Sequence, residues 1–152
     1  MNIFRKAVGT LFFCLVLNTL FAQKGWMNIH HKNGFDLQLP SGFSRGLLVA
    51  AGTLQWYHHK QEGIELTVES FGPGTPEGLK ESYLDDLKRF RGITYKVLKP
   101  TWYVISGQNE EGIFYYKSIR KDGELHHLRL SYPPAQKALF DSTLGRIATS
   151  FR

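Results

Sequence analysis

Three consecutive strands are predicted in residues 102–132, WYVISGQNEEGIFYYKSIRKDGELHHLRLSY. They cover Trp102 to Gln108, Gly112 to Arg120 and Glu124 to Tyr132, and they are rich in the β-branched and aromatic residues that strands favour. The Asp-Gly pair before the third strand is a typical two-residue hairpin turn. Strands joined by turns this short must run antiparallel. The segment therefore predicts an antiparallel meander.

Four more strands are predicted on the N-terminal side of this meander. They are Phe35 to Leu39, Thr53 to His59, Ile64 to Phe71 and Ile93 to Leu98. In the third of these, Glu65, Thr67 and Glu69 alternate strictly with apolar residues. Such alternation indicates a sheet with one face on the core and the other at least partly in water.

Two amphipathic helices accompany these strands. The first carries apolar residues at helical spacing from Leu79 to Phe90, and Thr75 and Pro76 suit its N-cap and first helical position. The second carries them from Phe140 to Phe151. The order strands, helix, strands, helix predicts an α+β fold, an antiparallel β-sheet with packed helices, in one domain spanning residues 23–152.

The first twenty-two residues have the layout of a secretory signal peptide. Arg5 and Lys6 precede an almost uninterrupted apolar run from Ala7 to Phe21, and Ala22 offers a small residue for cleavage. The run is shorter than the roughly 20 residues that a membrane-spanning helix needs, although an uncleaved anchor stays open as an alternative. We therefore predict a periplasmic or secreted protein that is cut after Ala22.

Cleavage would also remove the single cysteine, Cys14, which excludes disulfides and thiol catalysis in the mature chain. Phe13 is too large to precede a lipid-modified cysteine. The mature chain would carry a net charge of +4 instead of +6, because two basic residues leave with the leader. This excess is spread along the sequence, so it indicates an ordinary surface rather than a dedicated anion-binding one.

Six segments carry a combined pattern: Trp102 to Gly107, Gly112 to Lys117, Leu128 to Pro133, Phe140-Asp141, Ile147 to Phe151 and Phe35 to Phe43. Together they resemble bacterial members of the PsbP-like superfamily, over most of the mature chain. The resemblance implies an α/β/α sandwich, a fold shared by an extrinsic photosystem subunit and by a nuclear-import factor that binds the Ran GTPase. It brings no shared catalytic residues to this sequence. The better known members act by binding other macromolecules, so the resemblance implies a binding scaffold.

All six histidines fall in adjacent pairs: His30-His31, His58-His59 and His126-His127. Neutral imidazoles are good ligands for zinc, copper and nickel. Neighbours on a strand point to opposite faces, so a site would need one histidine from each of two or three strands. If the outer faces of their strands coincide, His59 and His127 are neighbours. They are the candidate ligands of the alternative function, a metal-binding envelope protein.

Three aromatic pairs are the candidate partner-binding surface: Trp56-Tyr57, Trp102-Tyr103 and Tyr115-Tyr116. Each pair places one ring on either face of the sheet. Outer rings could hold a protein partner, since Tyr and Trp are enriched at binding hot spots. The alternative is that helices cover both faces and the rings are core. Export disfavours stacking on RNA bases, so we predict no nucleic-acid partner.

No residue set for catalysis or cofactor binding is found. Ser106-Gly107 lacks the glycine pattern of a nucleophile elbow, and Gly107 instead suits a bulge or a close packing contact. Gly72 to Pro76 lacks the Lys-Ser/Thr ending of a phosphate-binding loop. The sequence therefore favours an exported, non-enzymatic binding or accessory protein without a cofactor, whose partner is an envelope or secreted protein.

Overall fold

The computed structural model describes residues 25–50, 53–61, 63–71 and 78–152. The predicted signal peptide, residues 1–22, lies outside the described residues, and so do the predicted helix-start residues Thr75 and Pro76. Export and cleavage after Ala22 therefore stay predictions. Within the described ranges, no helix combines the length and hydrophobicity needed to cross a membrane.

A seven-stranded sheet is the centre of the fold, and every neighbouring pair of strands in it is antiparallel. Its spatial order is β3-β4-β5-β9-β8-β7-β6. A separate hairpin, β1-β2, precedes it in the chain. The strands are β1 Trp26–His30, β2 Asp36–Pro40, β3 Phe43–Val49, β4 Leu54–His59, β5 Glu65–Phe71, β6 Ile93–Leu98, β7 Trp102–Asn109, β8 Gly112–Lys121 and β9 Glu124–Tyr132.

Two helices and the β1-β2 hairpin pack on this sheet. Helix α1, Leu79–Arg89, begins after Gly78 as its N-cap residue. Helix α2, Lys137–Ser150, follows a short 3₁₀ turn, Pro134–Gln136. The predicted α+β class, a sheet with packed helices, is confirmed.

The first face of the sheet, which carries Leu66 and Leu128, is covered by the β1-β2 hairpin together with α2. Backbone hydrogen bonds in both directions between Asp36 and Arg152 tie the hairpin to the chain end, and Gln38 N donates to Ser150 Oγ at 2.8 Å. The main core lies between these layers. Its most deeply buried members are Phe35, Leu37, Leu39, Tyr57, Leu66, Val68, Leu128, Leu130, Phe140, Ile147 and Phe151.

The second face carries Tyr103, Phe114 and Tyr116, and α1 packs on it over β7 and β8. A second, smaller core forms there with Leu79 and Leu125. The sheet is therefore a central layer between two unequal layers.

A tight turn and a close contact between strands confirm sequence predictions in detail. Asp122 and Gly123 both have positive φ values, 52° and 84°, which match the two-residue turn of a right-handed twisted hairpin. Gly107 faces Gly92 across a register shift in the β6-β7 pairing, and a Cβ atom at Gly107 would lie 2.0 Å from the Gly92 carbonyl oxygen. Gly107 thus permits a close contact between strands, as predicted.

Two strands were not predicted. In β3, Gly46 interrupts the pattern and the pairing with β4 shifts register between Arg45 and Leu48. In β1, Ile29 is the only buried residue. Neither strand shows the alternation by which the others were recognised.

Lys117 is a half-buried lysine that closes the C-terminal end of α2. Its Nζ donates to the carbonyl oxygens of Ala148 at 2.6 Å and Phe151 at 2.9 Å. Carbonyl groups at the C-terminal end of a helix lack hydrogen-bond partners within the helix, and a cation there also interacts favourably with the helix dipole. Burial lowers the pKa of this lysine. The contact fixes α2 to the first face of the sheet.

We expect Lys117→Met to lower the free energy of unfolding by about 1–3 kcal/mol, because two carbonyl oxygens lose a charged donor. Urea unfolding followed by circular dichroism measures this. Lys96→Met, on the exposed side of β6, is the matched control and should change stability by less than about 0.5 kcal/mol. Equal stability of the two variants would contradict this role for Lys117.

Candidate functional site

Helix α1 covers only part of the second face of the sheet. The strand residues of β4, β5 and β9 that point to this face beyond α1 are exposed or half-buried. We call them the open half. They are Leu54, Trp56, His58, Glu65, Thr67, Glu69, Arg129 and Ser131.

A groove of about 1130 Å³ runs between this open half and α1. Trp56, Glu69 and Phe71 line its sheet side, and Asp86 and Arg89 line its helix side. The tip of the β7-β8 hairpin, through Asn109 and Glu111, lines one end. The groove is larger than the roughly 300–1,000 Å³ of a usual small-molecule site.

Strand register fixes the neighbours within the groove. One row across the sheet runs Trp56, Thr67, Arg129, Tyr116, and the next runs Leu54, Glu69, His127. Directly paired residues on one face have Cβ atoms about 4.5–5.5 Å apart, and diagonal neighbours lie about 7–8 Å apart. Trp56 therefore has Glu65 and Glu69 as its two diagonal neighbours on β5. The Trp56 ring is also stacked with the His58 ring, at a centroid distance of 6.3 Å.

A buried carboxylate on α1 lies beside the groove. The Tyr103 hydroxyl donates to Asp86 Oδ2 at 2.5 Å, and Arg89 Nη2 lies 2.7 Å from Asp86 Oδ1. Burial raises the pKa of Asp86, and the Tyr103 hydrogen bond and the Arg89 charge partly oppose that shift. Burial also raises the pKa of Tyr103. Both oxygens of Asp86 have partners, so this carboxylate anchors α1 to the sheet.

His127 forms part of the groove floor, and only 8% of it is exposed. Its Nδ1 is hydrogen-bonded to the Tyr116 hydroxyl at 2.6 Å, and the edge of its ring meets Phe71 at 5.1 Å. Burial lowers the pKa of His127 to about 4, with a smaller contribution from the Arg89 charge. The imidazole is therefore neutral at neutral pH. Its Nε2 has no hydrogen-bond partner among the described residues.

The charged side chains around the groove are unequally paired. Arg129 Nη2 lies 3.6 Å from Glu111 Oε2, and Arg89 is paired with Asp86. Glu65 and Glu69 form no ion pair or hydrogen bond through their side chains within the described part of the chain. Glu65 and Glu69 therefore have no ion-pair partner in the described part of the chain, although Arg129 lies diagonally across the β5-β9 pairing from both.

The structure separates the six aromatic candidates. Tyr57, Tyr103, Tyr115 and Tyr116 are buried, so these four rings belong largely to the core. Trp102 is half-buried against the main core, where Lys117 Nζ lies 5.7 Å from its ring centroid. Trp56 is half-buried and lines the groove, and an edge of Tyr116 reaches the groove floor. Trp56 is therefore the ring best placed for a partner.

The two candidate metal ligands do not meet. His59 lies on the first face, against Phe43 at 4.8 Å and Phe140 at 5.9 Å, whereas His127 lies on the second. The outer faces of the two strands therefore do not coincide, because His59 lies on the buried side of β4 together with Gln55 and Tyr57. The described residues, which include all six histidines, contain no cluster of three or more His, Cys, Asp or Glu that could hold a metal ion.

Sequence reasoning missed three groove residues, Asp86, Arg89 and Arg129, because their roles depend on how α1 crosses the sheet. The signal for the open half was present. The alternation of Glu65, Thr67 and Glu69 predicts a partly wet face, and the structure places all three there, exposed or half-buried.

The arrangement of layers matches a solved structure. Cyanobacterial PsbP from Synechocystis sp. PCC 6803 superposes with a TM-score of 0.68 at 14% sequence identity, covering 84% of this chain and 92% of that one. The chain has a PsbP-like fold. The resemblance predicted from sequence is thus confirmed at the level of fold.

Two further solved structures have TM-scores below 0.5, so they add no argument. PA94 of Pseudomonas aeruginosa, a protein of unknown function, gives a TM-score of 0.46 at 11% identity and covers 83% of this chain and 94% of that one. LpqN of Mycobacterium tuberculosis, involved in cell envelope biogenesis, gives 0.45 at 12% identity and covers 83% and 88%. No family model and no curated protein sequence matches the chain.

The lowered pKa of His127 predicts how stability depends on pH. The unfolded chain binds a proton at this position near pH 6.5, whereas the folded protein does so only near pH 4. The free energy of unfolding therefore falls as the pH is lowered from about 6.5 to about 4, by up to about 1.4 kcal/mol for each unit of pKa difference. We expect His127→Gln, which cannot titrate, to lose this part of the slope.

Urea unfolding at several pH values between 4 and 7 checks this expectation. His58→Gln is the matched control, because His58 is exposed on the open half and should leave the wild-type slope in place. A His127→Gln variant with the full wild-type slope would show that this histidine is not held neutral by the fold.

Proposed function

We propose that this PsbP-like protein is an exported, non-enzymatic binding protein that holds an envelope or secreted protein partner on the open half. The observation that carries the proposal is the groove itself, in which a half-buried tryptophan lies on the sheet near two carboxylates that have no partner among the described residues. Aromatic residues and arginine are enriched at protein–protein interfaces, and Trp56 lines the groove together with three arginines.

The groove chemistry favours binding over catalysis. Asp86 is engaged at both oxygens, and His127 is bonded through Nδ1 to Tyr116. Burial raises the pKa of the Tyr116 hydroxyl, which makes it a poor acid and a poor nucleophile.

The groove charge favours a protein partner over nucleic acid. Five carboxylates line it, from Glu65, Glu69, Asp85, Asp86 and Glu111, against three guanidinium groups. A polyanion would be repelled by this excess. The resemblance to PsbP-like proteins also supports a binding role, since the better known members bind other macromolecules. This last support is an analogy from fold.

Site-specific photocrosslinking in intact cells tests the proposal. A benzoylphenylalanine in place of Thr67, at the centre of the open half, should give a discrete adduct with one protein. The control places the same group at Thr149, an exposed position on α2 on the opposite side of the sheet. No adduct from Thr67 under several growth conditions, or equal adducts from both positions, would overturn the proposal.

Export has a separate test. We expect the protein to be recovered from the periplasm or medium with an intact mass that begins at Gln23. Recovery of a full-length chain in the membrane fraction would instead support the uncleaved anchor.

A further inference from the structure

The chain is basic overall, with a net charge of +6, yet the uncompensated charge on the sheet side of the groove is negative. Asp85, Asp86 and Glu111 are each paired with a cation of the protein. Glu65 and Glu69 are not paired within the described residues. Arg91, exposed at the C-terminal end of α1, lines the opposite wall. Among the described residues, the β5 wall therefore offers two carboxylates without an ion-pair partner to whatever occupies the groove.

Trp56 lies between these carboxylates in the sheet. It pairs directly with Thr67, and Glu65 and Glu69 are two residues away on either side of Thr67. Because a strand rises about 3.3 Å per residue, the Cα atoms of Glu65 and Glu69 lie about 7 Å along β5 on either side of Thr67, the residue paired with Trp56. A cation above the indole would gain attraction from the ring face and from both carboxylates.

His127 adds a neutral polar group to the groove floor beside these carboxylates. It is more than nine-tenths buried, lines the groove, and is the direct cross-strand neighbour of Glu69. Its Nε2 has no hydrogen-bond partner among the described residues, and the fully buried side-chain atoms that lack one there are Tyr57 Oη and Ser118 Oγ, so Nε2 is reached by solvent from the groove. A peptide in the groove can therefore form a hydrogen bond with this nitrogen, which donates or accepts according to the tautomer that the Tyr116 hydrogen bond sets.

We propose that the groove recognises a lysine or arginine side chain, carried on an extended segment of the protein partner, between Trp56, Glu65 and Glu69. This inference rests on the proposed function, since it specifies the partner's chemistry at the same site. The groove volume of about 1130 Å³ exceeds what a single amine needs, and it fits a stretch of peptide backbone as well.

A peptide titration followed by NMR tests the recognition directly. The probe is the pentapeptide TKTKT, acetylated at its N-terminus and amidated at its C-terminus, and the control is the same peptide with both lysines acetylated. We expect TKTKT to shift the ¹H–¹⁵N signals of residues 54–58, 65–69 and 127–131. The acetylated peptide should bind at least about tenfold more weakly, and added salt should weaken TKTKT.

Paired variants locate the interaction. Glu65→Gln with Glu69→Gln keeps the size of both side chains and should weaken TKTKT about tenfold, as expected for two partly exposed ion pairs. Glu81→Gln with Glu110→Gln removes two exposed carboxylates that do not line the groove and should leave binding unchanged. The NMR spectra of the free variants show whether each remains folded.

Three outcomes would overturn cation recognition: equal binding of the two peptides, unchanged binding by the Glu65→Gln, Glu69→Gln variant, or shifts confined to another surface. The photocrosslink from position 67 distinguishes a failure of cation recognition from a failure of the proposed function. An adduct that persists in the double glutamine variant would preserve partner binding while rejecting the cationic side chain. Loss of the adduct in that variant alone would support it.

Discussion

The pairing of β5 with β9 is the constraint on which the rest of the structure depends. It joins the N-terminal strands to the C-terminal meander, although the chain leaves β5 through α1 and returns only after three more strands. Because side chains alternate between faces, its register places Leu66 opposite Leu130 in the core and Thr67 opposite Arg129 in the groove. A slip of one residue would exchange the two sets, so the same pairing specifies the core and the site.

The open half follows from the sizes of the layers. Strands lie about 4.8 Å apart, so seven of them span roughly 29 Å, whereas a helix with its side chains is about 10–12 Å wide. On the first face, α2 shares the area with the β1-β2 hairpin. On the second face, α1 is the only described helix, and it packs over β7 and β8. The strands β4 and β5 are left with a mixed face, which is polar on β5 and carries Leu54 and Trp56 on β4.

The sequence predicts the positions of the strands and turns better than it predicts which face of each strand is buried. Local signals were sufficient for the Asp122-Gly123 turn, for β6 and β9 and for the wet face of β5. In β4, alternation divides Trp56 from Tyr57 without saying which is buried. That choice depends on the pairing of Tyr57 with Leu66, a contact between strands. The separation of His59 from His127 and the crossing of α1 over the sheet depend on long-range packing in the same way.

The groove combines a floor that does not change charge near neutral pH with a wall that is charged. His127 is kept neutral by burial, whereas Asp86, held by Tyr103 and Arg89, fixes α1 against the sheet. The charge left for a partner then comes from the exposed or half-buried carboxylates of β5, opposite Arg91. Polar groups that already have hydrogen-bond partners stabilise the folded site and gain little from a ligand. Polar groups without a partner can gain a hydrogen bond or ion pair when a ligand binds. In the proposed binding role, this division assigns the choice of partner to β5 and not to the buried network.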